Sequence, residues 1–184
     1  MEISLALGGG GMRGIAHIGV IRCLEEAGYR ISAIAGTSAG GIVAAVYAAG
    51  YNPGDMISVL LKMDQSRLFG RRVNDGPSLM GVSGISDILH HLLGDRTFND
   101  LRIPVALTAT DANTGKEVIL HHGKVFHAVL ATIAVPGVFP PRHCGSAQLL
   151  DGGVVDPVPA AVSRWLAPGD PVIAVPLDQP GMPV

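Results

Sequence analysis

Ser38 is the residue whose surroundings most plainly point to chemistry. It lies in Gly36-Thr37-Ser38-Ala39-Gly40, the Gly-x-Ser-x-Gly spacing of a nucleophile elbow. The apolar run 31–35 before it predicts a strand, and the Ala/Val-rich run 42–49 after it predicts a helix. A hydroxyl on so sharp a turn is exposed, in strained backbone geometry. The residues two positions to either side must then lack side chains, and Gly36 and Gly40 meet that need. The turn also opens a helix, whose free amides favour a developing anion. A glycine-permitted packing turn has the same five-residue pattern, so a nucleophile must be supported by an oxyanion site and a base elsewhere in the chain.

Gly9-x-Gly11-x-x-Gly14 stands between a predicted strand at 3–7 and a helix. It matches the dinucleotide fingerprint, which would make the chain a dinucleotide-binding oxidoreductase. That fingerprint also needs a carboxylate at the end of the second strand to hold a ribose hydroxyl. Here that strand ends Ile34-Ala35-Gly36-Thr37-Ser38, with no carboxylate. The alternative use is an oxyanion hole, in which successive glycine amides of Gly10 and Gly11, with Gly9 beside them, converge on one point. Two neighbouring parallel strands would bring this loop beside Ser38. Arg13 is expected to order the loop rather than to touch substrate.

A serine hydroxyl needs a proton acceptor. Ser38, Asp111 and His143 fall in a Ser…Asp…His order, but Asp111 opens the turn Asp111-Ala112-Asn113-Thr114-Gly115 and is better explained by it. His17 is expected to pack on the first helix. The adjacent pairs His90-His91 and His121-His122 diverge and make poor metal sites. Asp151 is the better base. It follows the apolar Leu149-Leu150 and precedes Gly152-Gly153, at a strand end with open backbone around it, although Asp-Gly is also an ordinary turn.

The elements that must place these groups alternate. Strands are expected at 3–7, 31–35, 105–110, 117–120, 148–150 and 172–175. Helices are expected after Gly14 up to Gly28, at 42–49, from Pro53 to 63, at 86–93 up to Gly94, at 124–132 and at 159–166. This is an α/β order, and its strand–helix–strand opening favours a parallel sheet. Residues 64–83 lack periodicity. They mix Arg67, Arg71 and Arg72 with Leu68, Phe69, Leu79 and Met80, a composition suited to an anionic lipid interface or to a solvated loop with core anchors. With 184 residues, 48% hydrophobic and 15% charged, the chain is long enough for one well-filled domain and too apolar to be disordered. A net charge of −2 gives no footprint for nucleic acid. Cys23 and Cys144 have no metal-ligand spacing and are expected as free thiols. The opening Met1-Glu2-Ile3-Ser4 has no secretory character, and no run reaches a membrane span. A cytoplasmic protein with at most peripheral membrane contact is therefore expected.

Taken together, Gly9-Gly10-Gly11-Met12-Arg13-Gly14, Gly36-Thr37-Ser38-Ala39-Gly40 and Asp151-Gly152-Gly153 resemble the motifs of the patatin-like phospholipase family. Pro136-Gly137-Val138-Phe139-Pro140-Pro141 is similar to the family's proline-rich block before its Asp-Gly-Gly. All four occur in the family's order, over residues 3–175. The resemblance implies a three-layer α/β/α fold with a mainly parallel sheet. It also implies a Ser38–Asp151 dyad without histidine, an oxyanion hole at Gly9, Gly10 and Gly11, no metal or organic cofactor, and hydrolysis of acyl esters, often lipids. Gly8 replaces the acidic residue often found before the family's loop. The expected organisation is a single domain over 1–184, short of the C-terminal helices many members carry, with a small cap-like insertion at 50–101. A non-catalytic acyl- or lipid-binding module on the same fold is the rival to the hydrolase.

Overall fold

The computed structural model describes residues 1–64, 68–71 and 78–177. Arg67 and Arg72 of the basic–apolar stretch lie outside the described residues. Among the described residues, seven strands form one sheet: β1 (Glu2–Leu7), β2 (Arg30–Thr37), β3 (Val105–Asp111), β4 (Glu117–Leu120), β5 (Arg142–Cys144), β6 (Ala147–Asp151) and β7 (Val172–Val175). β7, β1, β2 and β3 are neighbours in that order and all parallel. β4 and β6 both pair antiparallel with β3, and β5 pairs antiparallel with β6. The parallel set is thus confined to the half of the sheet where helical crossovers link the strands.

Side-chain alternation assigns the two faces. Ile34 and Leu107 point into the main core, whereas their neighbours Ala35 and Ala106 meet Val162 and Leu166 of α6 (Ala160–Leu166) on the other side. The main-core face carries α1 (Ala16–Glu26), α2 (Ala39–Ala48) and α5 (Val125–Thr132). Both faces of the sheet are covered by helices, so residues 3–7 of β1 and 33–37 of β2 are buried without alternation, as burial on both sides requires. Over α1 and α2 lie α3 (Pro53–Lys62) and α4 (Ser83–Leu93). Asn52 caps α3, accepting from the Asp55 amide at 3.0 Å ahead of Pro53 in the first turn. Gly94, at φ 57°, closes α4.

The register around β3 decides the position of the site. Leu107 and Thr108 pair with both β2 and β4, so those strands occupy opposite edges of β3. Ala109 and Thr110 pair with both β4 and β6. β6 therefore takes up the edge of β3 that β2 leaves, and the C-terminal ends of β2 and β6 meet head to head beside Thr108 and Ala109. Ser38 follows β2 and Asp151 ends β6. Strand β5 had no counterpart among the expected elements, because three residues reading Arg142-His143-Cys144 carry no periodic signal; it exists through its pairing with β6.

Candidate active site

Ser38 has φ 53° and ψ −121°, the sole positive φ at a non-glycine residue among the described residues. Such backbone costs on the order of 1–3 kcal/mol and persists only where its surroundings over-determine it. Those surroundings are visible. A Cβ on Gly36 would lie 2.6 Å from the Gly40 carbonyl oxygen, and one on Gly40 would overlap the Leu7 carbonyl, so α2 starts in direct contact with two strand ends. A Cβ on Gly14 would lie 2.5 Å from that of Ala39, which ties the glycine loop to the same helix start. The Ser38 amide donates to Thr132 Oγ1 at 2.8 Å. Behind the turn, Thr108 donates to Thr37 Oγ1 at 2.7 Å, because the Thr37 proton is already given to the Asp156 carbonyl at 2.9 Å.

Ser38 Oγ donates to Asp151 Oδ2 at 2.6 Å. Asp151 Oδ1 accepts from the Gly153 amide at 2.7 Å. The Asp151 backbone is pinned as well: its amide donates to the Ala134 carbonyl at 2.9 Å and its carbonyl accepts from Thr110 Oγ1 at 2.9 Å. Gly152 is required because a Cβ there would run into Thr108. Asp151 as a residue is only 5% exposed. Burial pushes its pKa up from the ordinary aspartate range, against the lowering effect of the Ser38 and Gly153 hydrogen bonds. The arrangement is a hydroxyl on a solvent-reachable turn, held by a shielded carboxylate of raised basicity.

The glycine loop closes over this pair. A Cβ on Gly9 would sit 3.5 Å from Ser38 Cβ. The Gly9 amide, expected as an oxyanion donor, instead donates to the Pro157 carbonyl at 2.9 Å, so Gly9 supplies room and not a hydrogen bond. The amides of Gly10 and Gly11 have no backbone partner among the described residues. They open the 3-10 turn Gly11–Ile15, with Gly11 at φ 55°, and the Arg13 amide closes it on the Gly10 carbonyl at 3.1 Å. The Arg13 side chain reaches that same carbonyl at 3.5 Å, in keeping with a loop-ordering role. His17 is fully buried behind the loop, with Nε2 2.8 Å from the Gly8 carbonyl. A carbonyl only accepts, so Nε2 carries the proton; burial lowers the pKa and keeps the ring neutral.

The alternative triad does not assemble. Asp111 accepts from the Asn113 amide at 3.0 Å and from Thr114 Oγ1 at 2.8 Å, so its carboxylate serves its own turn. His143 is exposed in the β5–β6 hairpin, paired with Gln148. Cys23 and Cys144 are free and exposed. Among the described residues no cluster of His, Cys, Asp and Glu could hold a metal ion, and no helix is long and apolar enough to cross a membrane.

A cavity of about 170 Å³ runs from the glycine loop between the core helices and α3 and α4. Gly11, Met12 and Ala39 line its near end; Met56, Val59, Ile88 and Leu89 line its depth. Its walls are almost wholly apolar. Sequence reasoning left this space undefined, because its two walls lie about 10 to 80 residues apart in the chain and the wall formed by α3 and α4 is marked by no motif. It also passed over Thr132, whose one available signal was a hydroxyl at the end of a helix with His127 as its other polar side chain.

The patatin-like phospholipase family model matches residues 5–163. The chain belongs to the patatin-like phospholipase family. It is 40% identical over 163 residues to an uncharacterised NTE family protein of Mycobacterium tuberculosis, covering 87% of this chain and 45% of that protein. It is 28% identical over 176 residues to patatin-like phospholipase domain-containing protein 6 of the mouse, covering 88% of this chain and 12% of that one. The chain thus spans less than half the length of these relatives. Among solved structures, VipD from Legionella pneumophila shares the fold with a TM-score of 0.55 at 16% identity, over 84% of this chain and 46% of that one. The type III effector ExoU gives 0.50 at 19% identity, over 75% and 39%.

Proposed function

We propose that this chain is a serine acyl hydrolase acting on carboxylic esters of lipids through a Ser38–Asp151 dyad. The observation that carries the reading is the 2.6 Å hydrogen bond from Ser38 Oγ, on its strained turn, to the buried carboxylate of Asp151. As Ser38 Oγ bonds to the ester carbonyl carbon, its proton passes to Asp151 Oδ2. The carbonyl oxygen becomes an oxyanion held by the amides of Gly10 and Gly11 at the start of the 3-10 turn. Collapse of the intermediate breaks the bond to the alcohol, which leaves with the proton from Asp151. Water then attacks the acyl-serine, Asp151 takes its proton, and Ser38 departs reprotonated with release of the carboxylic acid.

The apolar cavity supports an acyl chain as the recognised part of the substrate, since it begins at Gly11 and Ala39, beside the nucleophile. Met12, Ile15 and Phe69 line it and are also exposed, Met12 at 59%, so its mouth offers apolar surface suited to peripheral contact with a lipid layer.

Labelling with a fluorophosphonate, followed by hydrolysis of a graded p-nitrophenyl ester series and of phospholipid vesicles, tests the reading. Ser38→Ala is expected to abolish labelling and turnover, and Asp151→Asn to cut turnover by about a hundredfold or more, as loss of a general base does. His143→Ala is expected to leave both near wild type. A wild-type protein that binds fatty acid but is never labelled would be a lipid-binding module instead. An active Asp151→Asn with an inactive His143→Ala would remove the dyad.

A further inference from the structure

We propose that Thr132 is a positioning residue for the nucleophile, and that the C-terminal turn of α5 sets the spacing of the dyad by holding Ser38 and Asp151 from one short segment. This rests on the dyad reading and adds to it the element that keeps the two groups in register.

The Ser38 amide precedes α2 and lies outside that helix's own hydrogen bonds. Its partner is a side chain 94 residues away, the fully buried Thr132 Oγ1, at 2.8 Å. Two residues further on, the Ala134 carbonyl accepts the Asp151 amide at 2.9 Å. The two residues of the dyad are therefore fastened to positions 132 and 134 of one buried stretch. On their other side both are referenced to β3, through Thr37–Thr108 and Asp151–Ala109.

Pairing with β3 fixes strand register but leaves the turn at Ser38 free to relax from φ 53°. The Thr132 hydroxyl opposes that relaxation directly, because moving the peptide would take the part-buried Ser38 N–H away from its acceptor. Its methyl fills space beside the same turn but accepts no hydrogen bond. A Cβ on Gly41 would come within 2.7 Å of Thr132 Cγ2, so the first turn of α2 rests on this side chain. A loosened turn moves Ser38 Oγ off Asp151 Oδ2, and displacement by about an ångström can cost on the order of a hundredfold in rate.

Thr132→Val keeps shape and removes the acceptor; Thr132→Ser keeps the acceptor and removes the methyl. On a soluble short-chain ester, Thr132→Val is expected to lower kcat about ten- to a hundredfold with KM changed less than threefold, and to slow fluorophosphonate labelling in parallel. Thr132→Ser is expected to retain kcat within about threefold. Thermal melts of both variants accompany the kinetics. A Thr132→Val protein that melts cooperatively with wild-type kcat overturns the proposal. So does a Thr132→Ser protein as slow as Thr132→Val, since packing and not the hydroxyl would then be responsible. If Thr132→Val fails to fold, Thr132→Ala with its adjoining cavity takes its place, compared with Thr132→Ser on the same kcat and KM readout. Wild-type protein that is never labelled and turns over no ester would instead remove the dyad reading itself.

Discussion

Asp151 is stabilised and penalised at once. Burial, the larger effect, disfavours its charged form, while Ser38 Oγ and the Gly153 amide favour it. Its folded pKa therefore lies above that of the unfolded chain, near 3.9. Below the unfolded value both states hold the proton and no penalty exists. As pH rises through the folded value the buried carboxylate subtracts from stability, and the full deficit persists above it. Asp151→Asn is thus expected to melt at a higher temperature than wild type at pH 7–8, with the difference shrinking as pH falls towards 4. Thermal melts across pH 4–8 check this; a difference independent of pH would mean that the carboxylate is not penalised by burial. The same raised pKa makes the group a better proton acceptor than an exposed aspartate, so the residue gives up stability for basicity.

The glycine loop is held from more than one side. From outside, the segment after Asp151 binds it through Gly9 and the Pro157 carbonyl. From inside, neutral His17 on α1 donates to the Gly8 carbonyl. His17 touches neither Ser38 nor Asp151 through any hydrogen bond, so its effect on chemistry runs through the loop. Replacing it by Phe fills much of the space and leaves the Gly8 carbonyl without its buried donor, a loss of about 1–3 kcal/mol. His17→Phe is expected to lower the denaturant midpoint and to reduce kcat more than it raises KM, because in the proposed mechanism the loop amides act on the transition state. A variant destabilised by that amount with unchanged kcat would show that the loop keeps its geometry without the histidine. Glycines of the loop differ in what a methyl group would do. At Gly10 it would meet the Leu177 side chain at 2.7 Å, which can move, whereas at Gly40 it would meet strand backbone, which cannot.

At the scale of the whole molecule, the proposed dyad and the apolar cavity are built from different elements. The sheet ends at β2 and β6 and the turn of α5 carry the dyad, while α3 and α4 close the apolar cavity over α1 and α2. Val59, half-buried on α3 with its side chain on the cavity, is the place to separate them. Val59→Trp fills the passage without touching the sheet. Turnover of an acetate ester is expected to stay within about threefold of wild type. Turnover of an octanoate or longer ester is expected to fall tenfold or more, a loss of about 1.4 kcal/mol or more in transition-state binding. Equal losses on both esters would mean that the acyl chain does not enter this cavity.

Local chemistry in the sequence determined a good deal. A strand must precede Gly36 and a helix must follow Gly40, because apolar runs flank a turn that only glycines allow; Gly28 and Gly94 end helices with φ 81° and 57°. Motif order then singled out Ser38 and Asp151 as candidates, since each needs a particular backbone around it and says so through adjacent glycines. What adjacency could not encode was left to the tertiary structure. That Asp151 faces Ser38 follows from β2 and β6 sharing one edge of β3, a consequence of register between strands far apart in the chain. That the Gly9 amide is spent on Pro157, that Thr132 takes the Ser38 amide and that α3 and α4 line one cavity likewise depend on segments with no common local pattern. Hydrogen-bond donors and cavity walls are chosen by what packs beside them, and only the folded chain brings those neighbours together.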